Sequence, residues 1–291
     1  MRGRLKNKLS DTLSSEELTK IYHSFDIIGD IAIFKVANDD ADARTAANQI
    51  MAVHRNVKTV FAQTGPVKGD HRVRQLKLLV GEGKTRTRYK ESGCVFAVDV
   101  KKCYFSPRLS HERTRIARLV KSGETVVNMF AGVGCFSVII AKSVPQTKVY
   151  SIDVNPVAFR YMEENVKINR DYGRVIPILG DSKDVINTQL RRKADRVLMP
   201  LPEKALEYLP HAILALKPTG GWIHLYDFQH ATSNENPLDG TKQKVAQKLG
   251  SCALSYTFGF SRVVRSTGPN WYQTVLDIQV NQLPNQLPSK F

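Results

Sequence analysis

The sequence predicts a doubly wound α/β domain preceded by a smaller, basic α+β domain. Three observations carry this. Thr125 to Ala141, TVVNMFAGVGCFSVIIA, reads as a buried strand, a small-residue turn at Ala131, Gly132 and Gly134, and an apolar helix. KVYSIDVNP then gives a second strand that ends in the acid Asp153. From Thr125 onward, strand and helix patterns alternate, which argues a mainly parallel sheet. A glycine turn after one strand and an acid at the tip of the next is nucleotide-binding logic. The turn is AGVG and not G-x-G-x-x-G. It therefore suits a nucleoside without phosphates, such as S-adenosylmethionine, better than a dinucleotide.

Taken in order, the chain opens with a basic leader and a short helix that Ser14 or Ser15 could cap. It lacks the apolar core of a secretory signal. FDIIGDIAIFKV (25–36) is strand-like, with a turn or bulge at Gly29-Asp30. DDADARTAANQIMAV (39–53) is a helix with acids at its start, and VKTVFAQ (57–63) is a strand. Residues 71–100 read as three strands separated by turns at GEGK and ESG. Arg72 and Arg74 alternate, as do Arg86 and Arg88, so each pair is expected on one strand face.

YFSP (104–107) is an extended lead-in, and a helix is expected from Ser110 through HERTRIARLV to Lys121. Beyond the glycine turn come a helix over 156–169 and a strand over 174–181 that ends in Asp181. A strand over 194–202 and a helix over 203–216 follow, then a strand over 220–228. A helical piece at 243–250 precedes two closing antiparallel strands. Residues 282–291 read as a flexible tail. The resulting domains are 1–100, basic and RNA-binding; 101–281, the cofactor domain; and the tail.

The net charge is +16, and 23 Lys/Arg against 13 Asp/Glu fall in residues 1–120. Such an excess points to a polyanionic partner that docks mainly on the first part. Residues 66–90 alone carry eight Lys/Arg and two acids, which marks Arg74, Arg86 and Arg88 as candidate RNA contacts. No run of 18 apolar residues is present, which excludes a spanning helix. Cys94, Cys103, Cys135 and Cys252 are scattered, without metal-ligand spacing or a disulfide framework. A reduced, cytoplasmic protein is the expectation.

VVNMFAGVGCFSVIIAK, VYSIDVNP, VIPILGD and ADRVLMPLPEKALEYL, with YFSPRLSHER ahead of them, closely resemble the archaeal and eukaryotic tRNA (guanine-37-N1) methyltransferases. The resemblance runs from about Phe25 to Val280. It implies a class I S-adenosylmethionine-dependent, Rossmann-like fold behind an RNA-facing domain. The implied reaction is methyl transfer to N1 of the guanosine 3′ of the anticodon. It also implies roles for residues. Asp153 holds the cofactor ribose, Asp181 lies by the adenine, and Arg113 lies by the cofactor. Tyr104, Phe105 and Arg108 sit near the methionine end and the target base. Phe130, Gly132, Val154, Ser182 and Pro200 complete the cofactor contacts. Glu112 is the implied base that removes the N1 proton. An arginine of the R-x-R segment stabilises charge on guanine O6; spacing selects Arg72, with Arg74 as the alternative. No metal and no obligate protein partner are implied.

The sequence departs from the family pattern at three points. Pro200 stands where many members carry asparagine, so a backbone carbonyl replaces the amide or activity differs. Asn128 stands where many carry Asp. The additional N-terminal domain of longer members is not in this sequence. A related enzyme type transfers the aminocarboxypropyl group of S-adenosylmethionine during wybutosine formation. The LPEKA loop and the intact SPRLSHER favour methyl transfer. A non-catalytic RNA-binding protein with a decayed methyltransferase fold is the reading from another class. Asp153, Asp181 and Glu112 argue against it.

Overall fold

A computed structural model describes residues 25–35, 41–65, 67, 69, 71–171, 173–250 and 254–284. The expected N-terminal helix, Cys252 and most of the expected tail lie outside these residues. The described chain forms two compact units that divide after Ser110.

The first unit is built on a four-stranded sheet of order β1-β2-β3-β4. β1 (Phe25–Ile28) and β2 (Ile31–Lys35) form a hairpin closed by Gly29-Asp30. β2 runs parallel to β3 (Thr59–Gln63), and α1 (Ala41–Val53) makes the crossover between them. Its alanine-rich face is core: Ala43, Ala46, Ala47 and Ile50 pack on Ala32, Phe34, Val60, Ala62 and Leu79. β4 (Leu76–Gly81) pairs antiparallel with β3. β5 (Arg86–Glu91) and β6 (Cys94–Asp99) do not extend this sheet. They form a separate hairpin around Ser92-Gly93, both at positive φ. Asp30 joins hairpin to sheet: its amide donates to Thr87 Oγ1 at 3.2 Å, and the Thr87 hydroxyl donates to its carboxylate.

One expectation is corrected here. Arg72 and Arg74 do not share a strand face, because β4 begins only at Leu76. Residues 69–72 turn instead, with the Arg72 amide donating to Gly69 O at 3.0 Å and Arg72 at φ 50°. Arg74 is buried, donating to Phe105 O at 2.7 Å and to Asp26 at 3.3 Å. An alternating R-x-R reads as a strand only until a half-buried carboxylate draws in one of the guanidiniums.

The second unit begins within α2 (Ser110–Leu119), which a single 3₁₀ turn (Pro107–Leu109) precedes. Its seven-stranded sheet has the order β12-β13-β11-β10-β7-β8-β9. β7 (Thr125–Asn128), β8 (Lys148–Asp153), β9 (Val175–Leu179), β10 (Arg196–Met199) and β11 (Gly221–His230) are parallel. β13 (Trp271–Gln282) and the edge strand β12 (Ser255–Gly268) close the sheet antiparallel. The expected mixed α/β sheet with antiparallel closure is therefore present.

Between the strands lie α3 (Cys135–Ser143), α4 (Pro156–Asn169), α5 (Ser182–Val185), α6 (Pro202–Ala215) and α7 (Pro237–Gly250). α3 is buried from Cys135 to Ala141, which explains its dense apolar sequence. α4 is capped by Asn155, whose side chain accepts from the amides of Val157 and Ala158, with Pro156 in the first turn. α7 begins six residues earlier than the sequence suggested. A π-helical turn (Ile186–Leu190) extends α5, and no sequence pattern signalled it. From β7 the chain moves outward to β8 and β9, then returns to place β10 on the other flank of β7. The switch point therefore lies between β7 and β10, and ligands of such sheets bind beyond the carboxyl ends of strands there.

Among the described residues, no helix is long and apolar enough to cross a membrane. Gly29, at φ 60°, sits against Thr87 and the Arg88 carbonyl, where a Cβ would collide. Gly29→Ala is expected to cost about 2–3 kcal/mol in urea-induced unfolding. A loss under half a kcal/mol would show that the hairpin is not held there.

Candidate active site

The carboxyl ends of β7, β8 and β9 form a shelf. Asp153, at the tip of β8, accepts from the amide of Gly132 at 2.6 Å and from that of Asn155 at 2.9 Å. Gly132 and Gly134 take φ of 57° and 88°, so the turn approaches the carboxylate without a Cβ in the way. A Cβ on Gly134 would lie 2.9 Å from Met162 Cγ. Val154 is 47% exposed and Leu179 49% exposed, so two large apolar side chains stand open at neighbouring strand ends.

Asp181 caps α5 by accepting from the Lys183 amide at 2.9 Å, and its other oxygen accepts from the Tyr208 hydroxyl at 2.7 Å. Burial, then this bond, pushes the Tyr208 phenol well above its usual range. Phe130 meets the Tyr208 ring edge-on, with centroids 5.3 Å apart. The Ser182 hydroxyl is buried and has no protein partner. Open apolar side chains, a strand-tip carboxylate and an orphaned hydroxyl fit a nucleoside with an apolar-faced base and ribose hydroxyls.

Beneath the shelf, Asn128 is buried. Its amide donates to Ser137 Oγ at 3.1 Å, and Ser151 Oγ lies 2.7 Å from Ser137 Oγ. The departure at Asn128 thus sits in a neutral network of small polar groups, where a carboxylate would need a charged partner. Pro200 directly follows β10 at the switch point and carries no side-chain amide.

Glu112 lies in the first turn of α2 and has no exposed surface. Oε2 accepts from Arg115 Nε at 3.0 Å and from the Tyr226 hydroxyl at 2.8 Å. Oε1 is ion-paired with Arg262 of β12. Asp277 of β13 grips Arg115 through both oxygens, at 2.6 and 3.1 Å. It also meets His224 Nδ1 at 2.6 Å. Arg196 points a guanidinium nitrogen at His224 Nε2 at 2.6 Å and is itself paired with Glu124. A guanidinium only donates, so Nε2 accepts, Nδ1 carries the proton, and His224 is neutral.

The titration of these groups follows from the same contacts. Burial, above all, lowers His224. Burial works to raise Asp277, but His224 and Arg115 outweigh it and the carboxyl is lowered. Burial alone would lower Arg115, and its bond to Asp277 instead holds it above its ordinary range. Burial, and then the neighbouring Glu112, raise Tyr226. Arg113, next to Glu112, is also buried.

In the first unit, the Arg72 guanidinium stacks over the Tyr104 ring, 4.9 Å from its centroid. Asp26 binds both Arg74 and Arg108, the latter at 2.7 Å. Phe105 meets Tyr89 edge-on. Arg86 and Arg88 are exposed on β5, on the face opposite buried Thr87. With Lys84, Lys90, Asn56 and Asp30 they border an open groove. The sequence did not single out Tyr226, His224, Asp277 or Arg262. The available signal was polar residues inside otherwise apolar central strands, WIHLYDF and TVLDIQV.

Residues 87–253 match the TRM5/TYW2 methyltransferase domain, and residues 5–85 match the TYW2 N-terminal domain. A relative from Pyrococcus abyssi, named tRNA (guanine(37)-N(1))-methyltransferase Trm5b, is 38% identical over 89% of this chain and 75% of its own length. The chain belongs to the TRM5/TYW2 methyltransferase family. Another relative, from Saccharolobus solfataricus, is named tRNA 4-demethylwyosine(37)-methyltransferase Taw21. It is 37% identical over 90% of this chain and 95% of its own length. A solved complex of aTrm5 and tRNALeu superposes with a TM-score of 0.82 at 32% identity, covering 95% of this chain and 78% of that one. The Rossmann-like α/β methyltransferase unit behind an N-terminal domain is thus the family's own architecture.

His224 supplies a pH test. Its folded-state value lies below the ordinary 6.5, so the unfolded chain binds the proton first as pH falls. Stability is expected to drop below about pH 6.5, by at most about 1.4 kcal/mol per pH unit. His224→Asn should flatten that slope in urea titrations between about pH 7.5 and 5.5. An identical slope in the variant would show that folding does not change the proton affinity of His224.

Proposed function

We propose that this protein methylates tRNA at position 37, moving the methyl group of S-adenosylmethionine to N1 of guanosine. The observation that carries the reading is the buried carboxylate of Glu112, in the same unit as a nucleoside-shaped shelf. Bound S-adenosylmethionine supplies an electrophilic methyl on a sulfonium. Asp153 would take the ribose hydroxyls, with Gly132 leaving room for them. Val154 and Leu179 would flank the adenine, with Asp181 and Ser182 at its polar edge. Phe130, Pro200 and Arg113 would border the rest of the cofactor.

N1 of guanine carries a proton and is a weak nucleophile, so Glu112 accepts that proton as the methyl bond forms. Charge then builds on O6, and Arg72, held over Tyr104, stabilises it. Arg74 supports the segment around Phe105 instead of reaching the RNA, and Arg108 pairs with Asp26. Arg86 and Arg88 contact phosphates on the first unit. The tRNA substrate makes the cytoplasm the expected site of action.

A second acceptor at the same position, 4-demethylwyosine, is favoured by one observation. The Saccharolobus solfataricus relative, named for that acceptor, is 37% identical to this chain, against 38% for the Pyrococcus abyssi one.

Incubation with labelled S-adenosylmethionine and transcripts bearing G or A at position 37, followed by nucleoside analysis, decides between these. Label is expected on the G37 transcript alone, as 1-methylguanosine. No label there, with label on tRNA carrying 4-demethylwyosine, transfers the assignment to the second acceptor. Equal labelling of G37 and A37, or an adduct heavier than methyl, overturns both. Arg86→Gln with Arg88→Gln should weaken tRNA binding and reduce the slope of log affinity against log salt by about one per arginine. An unchanged slope removes the groove from the interface.

A further inference from the structure

The Glu112 carboxylate is held unequally. Oε2 carries two fixed bonds, from Arg115, whose side chain is 13% exposed, and from the buried Tyr226. Oε1 meets only Arg262 among the contacts described, and that side chain is 30% exposed on an edge strand. The difference lies behind the two arginines. Arg115 is gripped through both terminal nitrogens by Asp277, which His224 fixes in turn. Behind Arg262 there is instead His111, whose Nδ1 lies 3.2 Å from the same terminal nitrogen, and the buried Arg262 Nε has no acceptor.

We infer that Asp277 is a positioning residue for methyl transfer: through Arg115 it locks Oε2 of Glu112 and leaves Oε1, on the Arg262 side, as the oxygen that meets the substrate. The inference rests on the reading of Glu112 as the base. A carboxylate on a helix can rotate about its side-chain torsions, and each rotamer costs little. Arg115 meets that carboxylate through Nε alone, so the direction of the bond follows the plane in which the guanidinium is held. That guanidinium holds its own plane only because a second carboxylate, across the sheet on β13, holds its other edge. Asp277 touches neither shelf nor substrate; its effect is confined to orientation, and orientation at a reacting centre weighs heavily on rate.

The test is single-turnover transfer at saturating S-adenosylmethionine and tRNA, in a cycle of Asp277→Asn and Glu112→Gln. Asp277→Asn is expected to slow transfer about thirtyfold, with affinities for S-adenosylmethionine and tRNA within about twofold. Asp277→Glu should recover part of the rate. In the Glu112→Gln background, Asp277→Asn should have almost no further effect, since no base remains to orient. Equal slowing in both backgrounds, or a parallel loss of cofactor affinity, overturns the inference and makes Asp277 a structural residue. Arg115→Lys keeps the charge and loses the bidentate plane. It is expected to mimic Asp277→Asn, and it carries the test if Asp277→Asn does not fold. A normal rate for Arg115→Lys overturns the inference. If Glu112→Gln alone transfers at the wild-type rate, the base assignment itself fails, and that outcome is separate from a failure of Asp277.

Discussion

A carboxylate with no exposed surface has to be compensated where it lies, and Glu112 is such a group. Much of the polar interior of the second unit answers to it. Two guanidiniums and a phenol meet its oxygens, Asp277 compensates one of the guanidiniums, and His224 and Arg196 continue the chain to Glu124. Removing one partner of such a chain strands a charge in a dry interior, which costs more than any single bond contributes. The network draws on α2, β10, β11, β12 and β13. The antiparallel closing strands therefore have a task beyond covering the sheet edge: they deliver Asp277 and Arg262.

The shelf obeys a different economy. Its groups are local in sequence: the glycine turn after β7, Asp153 at the end of β8, and Asp181 after β9. Parallel neighbours in a sheet bring their carboxyl ends to one edge, so three short motifs meet without long-range design. That is why the shelf motifs were legible in the sequence, while of the Glu112 network only the i,i+3 pair with Arg115 was. Apolar strand runs, a glycine turn and terminal acids are patterns of a few residues. Tyr226 and Asp277 stand 114 and 162 residues from the α2 residues that they bind. Only the strand order β12-β13-β11 brings them together.

The first unit shows the same division. Its hairpin at Gly29, its alanine-faced helix and the exposed Arg86-x-Arg88 all follow from local pattern. Arg72-x-Arg74 carries the same period of two, yet it folds as a turn. Asp26, nearly fifty residues earlier, recruits Arg74 into the interior, while Arg72 turns to Tyr104. Of two arginine pairs with one spacing, one therefore builds the unit and the other stays exposed. The Asn128 departure has a comparable physical setting, since its neighbours Ser137 and Ser151 are neutral and small.

The central claim is a division of labour between a shelf that holds the cofactor and a buried carboxylate that moves the proton. Calorimetric titration of S-adenosylmethionine into Asp153→Asn and Glu112→Gln, paired with single-turnover transfer for each, tests it most directly. The account predicts that Asp153→Asn weakens cofactor binding about tenfold or more, through loss of charge-assisted hydrogen bonds. It predicts that Glu112→Gln binds the cofactor like the parent protein and transfers its methyl about a hundredfold more slowly. Parallel loss of cofactor affinity and transfer in Glu112→Gln would contradict it.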